Sequence, residues 1–231
     1  MSKQEDFTIR ATKDAKYEVH GIFPTPVYTR ENLITEDEFP FLKEIIDGPT
    51  AQTDGSDMYG ERSENTYVLN QPALINLRKK LVQCVNEYAN QCVGLAGEFN
   101  ITQSWLSVKK PKQRHIMHSH ANSIISGVFW FGNEAEVEGL TFVKAQQANT
   151  WQMNPLINPN VANEFSFGEI TLKAENHMVC LFPSWLAHKV ADNKNSTNRY
   201  SIAFNAVPKF ALGWDKELTE FDHTIITRED Y

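Results

Sequence analysis

At 231 residues, 41% of them hydrophobic and 22% charged, the chain has the composition of an ordinary globular protein and the length for one sizeable domain. No run approaches the roughly 18 apolar residues of a membrane-spanning helix, and 22 basic against 29 acidic residues, a net charge of -7, argue against nucleic acid as a partner. The start, Met1 to Lys16, is polar and lacks a secretory apolar segment, so the expected compartment is the cytoplasm.

Along the chain, Val19 to Thr29 reads as an edge strand interrupted by Pro24 and Pro26. Thr35 or Asp37 caps a short helix through Ile46, and the polar stretch from Thr50 to Thr66 reads as a loop. The clearest helix begins at Pro72: Leu74, Leu77, Leu81, Val82, Val85 and Tyr88 recur at three- and four-residue spacing, a stripe that should pack on a sheet. The three cysteines form no Cys-x-x-Cys pair, and Cys84, Cys92 and Cys180 are expected as small core residues.

From Ile101 the pattern changes to short Val-, Ile-, Phe- and Trp-rich segments. Strands are predicted over Ile101–Lys109, His115–His120, Ile124–Phe131, Leu140–Val143, Glu169–Lys173, His177–Phe182 and Arg199–Pro208. The fold class is therefore mainly β with added helices (α+β), a jelly roll with one helix packed on its larger sheet. The expected organisation is one domain over 1–231: a strand and helical support over 1–98, a jelly-roll core over 99–210 and a C-terminal appendage over 211–231. The Asn-, Gln- and Pro-rich stretch from Lys144 to Gly168 has the length of a lid or binding loop.

Three of the seven histidines, His115, His118 and His120, fall within six positions. On an extended strand His118 and His120 project to one face, an arrangement that suits a metal, although a polar, partly exposed strand explains a lone His-x-His pair as well. His115 is odd-spaced and would face away, which leaves it beside the ligands at best. A second apolar segment, Leu181-Phe182-Pro183-Ser184-Trp185-Leu186-Ala187-His188, returns to a histidine and would supply a third ligand. In the last strand Arg199, Ser201, Ala203 and Asn205 share one face, opposite the apolar Tyr200, Ile202, Phe204 and Ala206. A guanidinium with a nearby hydroxyl suits a carboxylate. Ser126 and Trp130 share a face of their strand, toward cosubstrate or substrate. Trp105, Trp130 and Trp185 are candidates for a pocket wall, with Asn122 and Asn205 nearby. His20, His177 and His223 are expected at the surface.

His118 through Trp130, Leu181 through His188 and Arg199 through Asn205 together resemble the 2-oxoglutarate–iron(II) oxygenases of bacteria and marine phages, within the superfamily that includes prolyl hydroxylases. Ile22-Phe23-Pro24-Thr25-Pro26-Val27 is similar to that family's opening motif, so the resemblance runs over nearly the whole chain, more specific in its C-terminal blocks. It implies a double-stranded β-helix, iron(II) on His118, His120 and His188, and 2-oxoglutarate as cosubstrate, with Arg199 and Ser201 beside it. The implied activity is a dioxygenase that hydroxylates a small-molecule or peptidyl substrate, a peptidyl or amino-acid side chain being the natural first guess. For a phage protein the compartment would be the host cytoplasm, and a homodimer is the general prior. One position departs from the family's pattern: His120 stands where most members carry a carboxylate. Two alternatives remain at this point, a cupin-type three-histidine dioxygenase without 2-oxoglutarate and a non-catalytic jelly-roll binding module.

Overall fold

The computed structural model describes residues 8–10, 19–20, 24–35, 40–52, 57–132, 137–144 and 168–209. The expected lid over Lys144–Gly168 and the appendage over 211–231 fall almost wholly outside them, as does His223. Thirteen strands are described: β1 (Thr8–Arg10), β2 (Val19–His20), β3 (Tyr28–Arg30), β4 (Thr50–Gln52), β5 (Glu61–Ser63), β6 (Phe99–Lys109), β7 (His115–His118), β8 (Ile125–Phe131), β9 (Val137–Val143), β10 (Glu169–Ala174), β11 (Val179–Pro183), β12 (His188–Val190) and β13 (Arg199–Pro208). The helices are α1 (Pro40–Ile46) and α2 (Ile75–Glu87); a 3-10 turn over Pro72–Leu74 leads into α2, and a π-helical stretch over Tyr88–Val93 follows it.

A seven-stranded sheet, in the order β3-β11-β8-β13-β6-β5-β4, faces a four-stranded sheet, β10-β9-β12-β7, with every named pairing antiparallel. From β6 to β13 the chain crosses between the two sheets at every step except β9 to β10, which pair within the small sheet, and this makes a double-stranded β-helix. Period-two alternation divides the large sheet's side chains between two cores. Phe129, Phe131, Leu181, Ile202, Phe204 and Leu106 point outward to the stripe of α2, Leu77, Leu81, Cys84 and Val85. Val128, Trp130, Cys180 and Phe182 point inward to Leu140 and Phe142 of the small sheet. Central β8 is buried on both faces, and only glycine fits at 127: a Cβ there would lie 2.2 Å from the Phe204 ring and 2.7 Å from Leu181 Cδ2.

Several expectations are corrected. The stretch over 50–66 is not all loop, since β4 and β5 extend the large sheet beyond β6; their three-residue length leaves no alternation to detect. The edge strand expected over Val19–Thr29 is two short pieces, β2 and β3, with 24–27 irregular between them. Cys84 and Cys180 are buried as expected, but Cys92 is exposed on the π-helical stretch past α2. His177 is buried, not superficial, in a left-handed turn (φ 63°) whose backbone N–H donates to the Trp130 carbonyl at 2.7 Å.

Candidate metal centre

Strand pairing brings the histidines together. His118 ends β7 directly opposite His188 at the start of β12, so the two segments that carry them, seventy residues apart, are adjacent strands of the small sheet. His120 lies just past β7, where its backbone N–H donates to the Ser184 carbonyl at 2.9 Å. The ring centroids stand 4.3 Å (His118–His188), 5.2 Å (His118–His120) and 5.1 Å (His120–His188) apart. One ligand nitrogen from each lies within 4.8 Å of the others.

Hydrogen bonding settles which nitrogen faces inward. His118 Nδ1 and His188 Nδ1 each lie 2.9 Å from a backbone carbonyl, of Ile116 and Leu186. A carbonyl can only accept, so both Nδ1 atoms carry the proton and both Nε2 atoms hold a lone pair. His120 Nδ1 lies 2.6 Å from Asn205 Oδ1, in the amide orientation that also lets Asn205 Nδ2 donate to Gln103 Oε1 at 3.4 Å. Its Nε2 then holds a lone pair as well and faces His118 Nε2 at 3.3 Å. Two lone pairs at that distance repel without a cation between them. Burial favours the neutral form of two of the rings: it pushes the His188 imidazole down to about 3 and lowers that of His120, against the raising effects of the Leu186 carbonyl and Asn205. Three neutral imidazoles with convergent lone pairs, each oriented by a fixed acceptor, fit a divalent metal such as iron(II).

The imidazoles open on a cavity of about 230 Å³ whose lining includes Trp105, Trp130, Arg199 and Ser201. Arg199 is 4% exposed; its guanidinium donates to the carbonyls of Glu138 (3.1 Å) and Ala191 (2.9 Å) and has no carboxylate within ion-pair distance among the described residues. Burial lowers its pKa to about 10, with Glu138 and Asp192 pulling the other way, so it remains a cation at neutral pH. A held, desolvated guanidinium facing a cavity is suited to a carboxylate.

Residues 103–205 match the model of a family described as "Putative 2OG-Fe(II) oxygenase". That stretch is 103 of the chain's 231 residues. It contains all three converging histidines and Arg199. No curated protein matches the chain. Solved structures of similar fold include the non-heme alpha ketoglutarate dependent epimerase SnoN from nogalamycin biosynthesis (12% identity over 80% of this chain and 79% of that one, TM-score 0.57). HygX from Streptomyces hygroscopicus, solved with nickel and 2-oxoglutarate bound, gives 13% identity over 83% and 86% (TM-score 0.56). AviO1 from Streptomyces viridochromogenes Tue57 gives 15% over 82% and 92% (TM-score 0.55).

Around the three histidines, other expected site residues take different places. Ser126 is fully buried behind His120, bonded to its Nδ1 (2.8 Å), to Ser184 Oγ (2.8 Å) and to Asn205 Oδ1 (3.0 Å), and is not on the cavity wall. His115 does not face away: β7 carries an extra residue between the positions opposite Val190 and His188, and this bulge turns His115 into the cavity, 4.5 Å edge-on to His118. Asn122 is exposed in a left-handed turn (φ 57°), a conformation Asn tolerates, and lies off the cavity. Trp185 is 63% exposed and walls nothing. Lys109 and Arg62, not anticipated, line the cavity. Lys109 was findable, because it shares a face with Ser107 and Trp105; Arg62, in a three-residue edge strand, gave no signal.

Proposed function

We propose that this protein is an iron(II)- and 2-oxoglutarate-dependent oxygenase, a single domain over 1–231, in which His118, His120 and His188 hold the metal and Arg199 with Ser201 fixes the far carboxylate of 2-oxoglutarate. The observation that carries the reading is the convergence of three Nε2 lone pairs at one end of a cavity whose wall holds a buried guanidinium. Iron(II) bound there would supply the redox centre at which 2-oxoglutarate and oxygen react to oxidise a C–H bond of the substrate, with hydroxylation the simplest outcome.

The chain's own contribution is geometry and exclusion of water. Asn205 and Ser126 fix the His120 ring, and the carbonyls of Ile116 and Leu186 fix the other two. The carbonyls of Glu138 and Ala191 leave part of the Arg199 fork for a carboxylate. Trp105 and Trp130 supply apolar wall. With no carboxylate among the ligands, the metal end would be one charge more positive than a His-x-Asp site, which favours a dianionic cosubstrate. Three free thiols, Cys84, Cys92 and Cys180, suit a reducing cytoplasm, that of the host if a phage encodes the chain. A small molecule or an amino-acid side chain is the expected substrate class.

The test is conversion of 2-oxoglutarate to succinate by the iron(II)-loaded chain under air. Arg199→Ala should raise the KM for 2-oxoglutarate tenfold or more while leaving metal content unchanged. Turnover indifferent to that substitution would favour a three-histidine dioxygenase that does not use 2-oxoglutarate.

A further inference from the structure

The hydrogen bonds behind His120 form a chain with a direction. Ser123 Oγ lies 3.0 Å from the Ile125 carbonyl and 3.2 Å from the Ala206 carbonyl. Carbonyls only accept, so Ser123 donates there and itself accepts from Ser184 Oγ at 2.9 Å. With the Ser184 proton engaged, Ser126 Oγ is flanked by two acceptors, Ser184 Oγ at 2.8 Å and Asn205 Oδ1 at 3.0 Å, and gives its proton to one of them. A lone pair of Ser126 is left for His120 Nδ1 at 2.8 Å, beside Asn205 Oδ1 at 2.6 Å from the same atom. Ser126, Ser184 and Asn205 are all buried.

The pocket around position 120 therefore presents acceptors, which an N–H satisfies and a carboxylate would oppose. It is built for an imidazole that donates through Nδ1 and turns Nε2 to the metal. No aspartate, glutamate or cysteine joins the three histidines among the described residues. Three neutral nitrogen donors differ from a His-x-Asp site in the ions they prefer. Manganese(II) stands lowest in the affinity order of the first-row divalent ions and favours carboxylate and water oxygens, whereas imidazole suits iron, nickel, copper and zinc. We infer that His120 is a metal-specificity residue: a carboxylate in its place would admit manganese(II), and the third imidazole excludes that ion in favour of iron(II) and the later metals. This rests on the metal centre of the oxygenase reading above and on no property of the cosubstrate.

The test is anaerobic titration of the metal-free full chain with cobalt(II), followed by its visible d–d absorption, with and without excess manganese(II). His188→Ala supplies the background. The parent should prefer cobalt(II) by about a hundredfold or more, and His120→Asp should cut that preference at least about tenfold by gaining manganese(II). The Ser126 hydroxyl and the Asn205 amide can each turn to donate to a carboxylate, so the variant should fold, which its melting curve checks. His120→Glu, with the longer reach, takes its place if the aspartate variant holds neither ion; if the glutamate variant also holds neither, the parent's preference decides alone. A preference unchanged in the carboxylate variant, or one below about tenfold in the parent, overturns the inference. A parent that takes up no more of either ion than His188→Ala sinks the metal centre itself, and the oxygenase reading with it.

Discussion

Asn205 does for His120 what backbone carbonyls do for His118 and His188: each acceptor fixes a proton on Nδ1 and so turns a lone pair inward. Removing such a partner typically costs a metal site about 10–100-fold in affinity, and Asn205→Ala is expected to weaken metal binding within that range, measured by anaerobic titration, with little change in the melting temperature of the metal-free chain. The depressed imidazole of His188 makes a second prediction. Its folded value, about 3, lies below the ordinary value of 6.5, so the folded state binds fewer protons than the unfolded one between them. The stabilisation is therefore complete above pH 6.5 and is lost as pH falls toward 3, by at most about 1.4 kcal/mol per pH unit. Metal-free protein should lose stability between pH 7 and pH 4.5 more steeply than its His188→Gln variant; parallel curves would contradict the assignment.

At the level of elements, β13 shows what patterning alone can reveal. Eight residues alternate between Arg199-Ser201-Ala203-Asn205 and Tyr200-Ile202-Phe204-Ala206, and the strand runs over Arg199–Pro208 as expected, polar face to the cavity and apolar face to α2, with its register against β6 shifting between Asn205 and Ala206. β7 shows the limit. Spacing set His115 aside, but one extra residue between the positions facing Val190 and His188 resets the alternation, and a bulge of that kind leaves no compositional mark. Asn122 and His177 failed for a related reason: both occupy left-handed turns, and side-chain chemistry does not disclose where a non-glycine residue takes a positive φ. Gly127 is the opposite case, a residue required by contact and not by turn geometry. Gly127→Ala would drive a methyl against Phe204 and Leu181 between two buried layers, and should cost about 1–3 kcal/mol, read from the urea midpoint.

For the molecule as a whole, the double-stranded β-helix explains why residues from distant segments form one site. The small sheet sets His118 beside His188, the large sheet sets Arg199, Lys109 and Arg62 in neighbouring strands, and the cavity lies between the two. The outer core against α2 makes no contribution to that cavity, so substitutions there should change stability without changing cosubstrate affinity: Leu81→Ala, at a fully buried position, is expected to cost about 2–5 kcal/mol and leave the 2-oxoglutarate dissociation constant of the folded protein unaltered. Charge was informative only locally. The net charge of -7 excludes little about a cavity whose wall is cationic.

All of this depends on three imidazoles holding one metal ion. The direct measurement is anaerobic titration of the full chain with iron(II) in the presence of 2-oxoglutarate, following the visible charge-transfer absorption of the iron–keto-acid chelate. One equivalent should saturate the signal, and His118→Ala, His120→Ala and His188→Ala should each abolish it while retaining a cooperative melt. A signal that survives undiminished in any one of these folded variants would contradict the three-histidine centre.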